Sequence, residues 1–355
     1  MAAISGDKLA SIANAALDYY LQRGEVISQT LEDKPLLRMM DAKAKSFPGG
    51  KGNVSLAVKG TYTTTLSGYT HSDQVQYVAP DNLLRVNYPW KEHHAGITIS
   101  FTELKHDGIT VSDSATGENT TNHSGRDKHV LVNILQDKLE DMVEGYQRGM
   151  NDILFGDGTA NSGKVFAGIQ AIIKDDPTTG NVGGLLQTDA STNTWWRNRK
   201  TIDLSTTPTG QELTDHLHQE MRQLRRFGGN PDIAVCGSAF LDRLVTELKS
   251  KGNYTQTGWS SSGATDISVA DISYGGLKFL YEPKLDSLTI SGAEPTKRCY
   301  IIDSSKLYLH YMTGEKMKRH SPARPHDYYS IYRAITTTVT LCASQLNCHG
   351  VYEIA

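Results

Sequence analysis

At 355 residues the chain is longer than one ordinary core accommodates, so about two domains are expected. Hydrophobic residues make up 38% and charged residues 21%, the balance of a folded, water-exposed chain, and a net charge of −3 excludes a strong pull of the whole chain toward nucleic acid or membrane. No run reaches the ~18 apolar residues of a spanning helix, and Met1–Ala10 lacks the basic-then-apolar order of a signal peptide.

Residues 4–22 place Ile4, Leu9, Ile12, Ala16, Leu17 and Leu21 at helical spacing, closed by Gly24, and a second short helix is expected over Leu36–Ala44 after an extended Gln29–Pro35. These first residues read as an arm that must lie on something else, the rest of the chain or a neighbour. From Asn53 the period becomes two: Val54, Leu56 and Val58, then Gln74–Val78, then Leu84, Val86 and Tyr88, then Gly96–Phe101. Thr and Tyr are dense here, so the reading is a long β-hairpin with two wet faces, which is marginal without a partner surface. Residues 107–125 read as loop. Ser124 and Asp127 then open the strongest helix, whose apolar steps of three and four run from Val130 to Leu154 and stop at Gly156. Gly168–Ile173 reads as a short strand and 174–209 as loop. A T-x-x-E box at Thr209 and Glu212 opens another helix, Asp232–Cys236 is a buried strand, and Ser238 caps a further helix. Leu277–Tyr281 and Arg298–Ile302 are strands, and Leu307–Tyr311 and Ile331–Leu341 form a last β region.

Chemistry-bearing motifs all fail at a named point. Gly158–Val165 matches the phosphate-binding G-x-x-x-x-G-K, but Val165 stands where Ser or Thr must hold magnesium, and the segment follows a helix instead of joining a strand to one. His93-His94 are adjacent and His216 and His218 are two apart on a helix, so neither pair converges on a metal. Cys236, Cys299, Cys342 and Cys348 include no C-x-x-C pair and read as reduced, half-buried thiols in a reducing cytosol. Asp175-Asp176 sits in a turn composition. Lys316, Lys318, Arg319, Arg324 and Arg333 make a locally basic stretch. Tyrosine is the one compositional skew, 17 against 7 Phe, which suits contact surface as well as polar-edged sheets. No cofactor, metal or catalytic group is expected, and the chain reads as a non-enzyme.

Leu154-Phe155-Gly156-Asp157-Gly158, the Gly168-Ile169 that follows, and Arg324-Pro325-His326-Asp327-Tyr328-Tyr329, set in the order arm, hairpin, long helix, compact αβ region and return strands, resemble the Hong-Kong-97-type fold of tailed-phage major capsid proteins. The resemblance spans essentially the whole chain and implies an α+β fold. Its parts would be an N-terminal arm (1–50), an extended E-loop with flanking strands (51–123), a peripheral domain with its spine helix (124–194), an axial domain (195–305) and strands returning to the peripheral sheet (306–355). It implies a subunit that assembles with itself as hexamers and pentamers into an icosahedral shell around double-stranded DNA, first in host cytoplasm and then in the virion, with scaffolding, portal and decoration proteins as partners. Inter-subunit contacts are expected at Tyr62, Tyr69, Tyr77 and Arg85 on the hairpin, Glu140 and Glu144 on the helix, and Trp195, Arg319 and Arg324 elsewhere. An encapsulin-like compartment is the alternative within the fold. A metal-dependent hydrolase using the His-rich segment 93–129 and a tail-tube protein are the alternatives outside it.

Overall fold

Helical spacing held over some thirty positions produces the longest element among the described residues. A computed structural model describes residues 32–80, 82–100, 125–188, 193–205, 212–250, 272–290, 292–320 and 330–355, with 4–5, 102 and 111–112 as isolated pieces and 125–137 by backbone only. In chain order come α1 (Pro35–Ala42), β1 (Lys45–Phe47), β2 (Asn53–Val58), β3 (Leu84–Pro89), β4 (Lys91–Ser100), α2 (Gly125–Leu154), β5 (Arg199–Leu204), α3 (Glu212–Arg225) and β6 (Ile233–Cys236). They are followed by α4 (Ser238–Ser250), β7 (Ile272–Tyr274), β8 (Leu277–Tyr281), β9 (Arg298–Ile302), β10 (Leu307–Met312), β11 (Lys318–His320), β12 (Ser330–Ala343) and β13 (Gly350–Ile354). The chain divides into two units, one holding 92–150 and 313–338 and the other 32–91, 151–312 and 339–355.

In the first unit β4 pairs with β12, and β11 pairs antiparallel with β12 in the register Lys318↔Thr336 to His320↔Ala334. One face of α2 closes on these strands: Leu139, Met142 and Val143 pack with Ile335, Ala95, Ile97 and Met317. Tyr146 fixes the rotation of the helix by donating its hydroxyl to Thr337 Oγ1 at 2.9 Å. At about 1.5 Å per residue the 30 residues of α2 form a rod of roughly 45 Å.

The second unit carries a six-stranded sheet in the order β7-β8-β6-β9-β13-β5. β6, β9 and β13 are buried at every position, so they show no alternation; β6 is apolar throughout, while β9 and β13 each carry one buried charge, Arg298 and Glu353. α3 and α4 supply Leu213, Leu217, Met221, Leu224, Phe240, Leu241 and Leu244 to the core over Ala234, Phe279, Ile301 and Tyr352. α4 begins at Ser238 itself; its first N–H is accepted by Asp286 Oδ1 at 3.0 Å, so the cap comes from a remote carboxylate and not from the Ser238 side chain as expected.

Several expectations are corrected here. Ile169–Ile172 is a helical turn, not a strand, because Ile169, Ile172 and Ile173 all bury and the Ile173 N–H reaches Ile169 O at 2.7 Å. A Cβ on Gly168 would meet the carbonyl oxygens of Ile153, Leu154 and Gly156 at 2.4–2.5 Å, so the chain folds back directly onto the C-terminal end of α2. The expected loop at 174–209 contains β5, which pairs parallel with β13. The last strand, β13, lies between β9 and β5 and so belongs to the six-stranded sheet, not with the return strands β10 and β12. Residues 32–50 of the arm settle on their own chain: Pro35, Leu36 and Met40 bury, Lys43 pairs with Asp232, and β1 runs parallel to β10. The helix expected over 4–22 lies outside the described residues apart from Ile4–Ser5, a short strand paired with Val111–Ser112. Ser124, Thr209 and the run at 324–329 also lie outside them.

Candidate assembly surface

β2 and β3 pair antiparallel from Asn53↔Pro89 to Val58↔Leu84. One face of this stem is dry, contrary to the expectation of two wet faces: Val54, Val58, Val86 and Tyr88 are buried. The same chain covers it. Gly183, at φ +62°, lies so close that a Cβ there would sit 2.9 Å from Val86, and the Asn87 N–H reaches Gly183 O at 2.8 Å. Tyr88 donates its hydroxyl to Ala343 O at 2.9 Å.

Beyond the stem, the described residues of 59–83 form no regular strand, the alternation at Gln74–Val78 included. The loop keeps its large side chains in water. Tyr62 is 78% exposed, Leu66 fully exposed, Tyr69 70% and Tyr77 94%, and Val75, Val78 and Leu83 are open as well. Its order is local. Asp73 accepts the N–H and hydroxyl of Thr70 at 2.9 and 2.8 Å, and these donors hold its carboxyl below the usual carboxylate range. The Lys59 ammonium lies 4.7 Å from the Tyr62 ring. At the root of the loop Gly60 meets Trp195 so closely that a Cβ would stand 1.8 Å from its ring.

The expected contact residues therefore separate. Tyr62, Tyr69 and Tyr77 share the exposed loop, and Arg85 is exposed on its stem. Trp195 is half-buried under its own chain, edge-on to Trp196 at 5.6 Å between ring centroids. Glu140 and Glu144 are half-buried on α2 and already have partners, as does the exposed Arg319 of β11. Arg324 lies outside the described residues.

Ion pairs missed by sequence reading lock the six-stranded sheet. The Arg298 guanidinium, on β9, is buried; it pairs with Glu353 of β13 and grips Asp175 with both terminal nitrogens at 3.0 and 2.7 Å. Arg199 of β5 holds Glu220 of α3 at 2.9 and 2.6 Å, and Glu220 also accepts the Tyr352 hydroxyl at 3.1 Å. These carboxylates are committed to arginine, an arrangement that holds strands and helix together. The near-phosphate motif is a turn: Asn161 and Ser162 stand at φ 51° and 57°, and Asp157 accepts the N–H and hydroxyl of Thr159. His93 and His94 alternate along β4, and His216 bonds Thr201 while His218 faces water. Among the described residues no three of His, Cys, Asp and Glu gather into a group able to hold a metal, and no helix is long and apolar enough to cross a membrane.

Comparison with known proteins places this architecture. No curated protein sequence matches the chain significantly. Among solved structures, the chain is similar in fold to the capsid asymmetric unit of cyanophage A-1(L), at 11% identity over 93% of this chain and 94% of that one, with a TM-score of 0.62. It is similar to the capsid subunit of an empty GTA particle at 13% identity over 96% and 98%, TM-score 0.56, and to the mature capsid of bacteriophage PhiM1 at 11% over 94% and 90%, TM-score 0.55. The fold is thus the phage-capsid α+β fold. The family model described as SU10 major capsid protein matches residues 98–355, most of the chain, and it describes shell-forming virion proteins, not enzymes or enzyme compartments. The chain belongs to the SU10 major capsid protein family.

Proposed function

We propose that this chain assembles as hexamers and pentamers into an icosahedral shell around double-stranded DNA. One observation carries the reading: a stretch of 25 residues, 59–83, holds large apolar side chains in water on a stem that is itself well packed. Exposed patches of this kind mark association surfaces, and the partner at hand is a second copy of the chain. Tyr62, Tyr69, Tyr77 and Arg85 are the contacts offered by the loop and its stem; Glu140, Glu144, Trp195, Arg319 and Arg324 are the remaining candidates. Residues 1–50 act as the arm, 51–123 as the E-loop region, 124–194 as the peripheral and 195–305 as the axial domain, and 306–355 as return strands whose last member joins the axial sheet. Assembly takes place in host cytoplasm with scaffolding and portal proteins, and decoration proteins join the finished shell.

Electron microscopy of the overexpressed chain, with and without its scaffold, tests this. Closed icosahedral shells are expected. A monodisperse small oligomer under every condition, scaffold included, overturns it.

A further inference from the structure

The chain is weakly acidic overall, yet one turn is strongly basic. Arg222 and Arg225 end α3, and Arg226 follows; all three are exposed, one to four residues apart and clear of the buried Leu217, Met221 and Leu224. Among the described residues neither Arg222 nor Arg226 has a carboxylate partner, and Arg225 reaches only the carbonyl of Gly275, at 3.4 Å. The acids of the helix are elsewhere: Glu212 and Asp215 at the opposite end, and Glu220 buried against Arg199.

The turn is held in place. Gly228 takes φ +82°, a Cβ on Gly229 would lie 2.4 Å from that of Cys348, and Phe227 O accepts Gln345 Nε2 at 3.2 Å. Phe227 is 60% exposed, and the Arg226 guanidinium lies 5.3 Å from its ring centroid. One cation in the last turn suffices to complement a helix dipole; three arginines with no carboxylate partner among the described residues, one of them beyond the helix end, exceed that need. The basic stretch at 316–319 differs, because Lys318 is paired with Glu315 and both Lys316 and Arg319 already have partners.

We propose that Arg222, Arg225 and Arg226 form a binding site for the phosphodiester backbone of duplex DNA. The guanidinium fork matches phosphate oxygens two at a time, and contacts to the backbone alone carry no sequence information. The inference rests on the DNA-enclosing reading above and names where the chain meets the polymer.

The test is fluorescence anisotropy of the full chain with a labelled random-sequence 30-base-pair duplex, titrated across salt. Each phosphate contact contributes about 0.9 to the slope of log affinity against log salt. The triple variant R222Q/R225Q/R226Q, checked for native circular dichroism, is expected to lower that slope by roughly two to three. The triple lysine variant keeps the charge and should keep the slope. Lys316→Gln, Lys318→Gln and Arg319→Gln together should change it little. An unchanged slope in the first variant, or equal losses in the first and last, overturns the proposal. Wild-type chain that forms shells but does not bind the duplex overturns it while leaving assembly standing. Duplex binding that depends on the three arginines in a chain that never forms shells leaves the site standing and removes the shell. A folded arginine variant that loses assembly with its DNA slope intact identifies the turn as a protein contact and also overturns it.

Discussion

Two regions of this subunit use tyrosine in opposite ways. In the six-stranded sheet Tyr300 and Tyr352 are wholly buried, each with its hydroxyl bonded, to Arg298 and Glu220 respectively. In the loop at 59–83, Tyr62, Tyr69 and Tyr77 touch almost nothing. Burying a large apolar side chain contributes about 1.5–3 kcal/mol, so the sheet realises that gain within one chain and the loop defers it. The sheet should therefore govern whether the subunit folds, and the loop whether folded subunits associate.

The largest expected effect breaks the sheet. Arg298→Ala leaves Glu353 charged, buried and unpaired, a change that costs about 3–5 kcal/mol and should appear as a lowered urea midpoint. A loss under 1 kcal/mol would show that the pair is not holding β9 to β13. Next comes a pH window. His349 is buried and its Nδ1 accepts the Asp303 N–H, so burial first of all pushes its pKa down to about 4. Unfolding restores an ordinary value near 6.5. The unfolded chain then binds the extra proton, so this contribution is complete above pH 6.5 and is lost as pH falls toward 4, by about 3 kcal/mol at most. The fall in stability between pH 7 and 4 should be shallower in His349→Gln than in the parent; parallel curves would refute the assignment. Gly168→Ala should follow at about 1–3 kcal/mol, since three backbone carbonyls stand where its methyl group would go. The smallest effect on the subunit sharpens the contrast most: Tyr62→Ser, Tyr69→Ser and Tyr77→Ser combined should leave unfolding within about 0.5 kcal/mol of the parent while abolishing shell formation. Loss of stability in the isolated subunit would place these residues in its own core.

What the sequence disclosed tracks how strongly each segment's own pattern determines its structure. α2 was legible because its apolar steps persist to Leu154, and β6 because Ile233–Cys236 is apolar throughout. β5 was not: Arg199–Leu204 is polar and mixed, and it is a strand because β13 offers it an edge. Gln74–Val78 erred in the other direction, with alternation but no strand partner among the described residues. The Asp286 cap on α4 and the Arg298 pairs join residues 48, 55 and 123 positions apart, which no local pattern announces. For the candidate contacts, density of tyrosine was the usable signal and located the loop. The arginines of α3 carry no distinct pattern, because basic residues near a helix end are common.

The four cysteines carry a further consequence. All are buried, and burial drives the Cys348 thiol up to about 12 and also raises Cys342 and Cys236. A thiol must be reached to be modified, so these buried thiols present nothing to an alkylating reagent or an oxidised small-molecule disulfide. Its thiols become reactive only when a segment opens. They thus act as internal clocks: the rate at which each is modified reports how often the sheet around Cys236 or the β12 strand around Cys342 comes apart, without any added label.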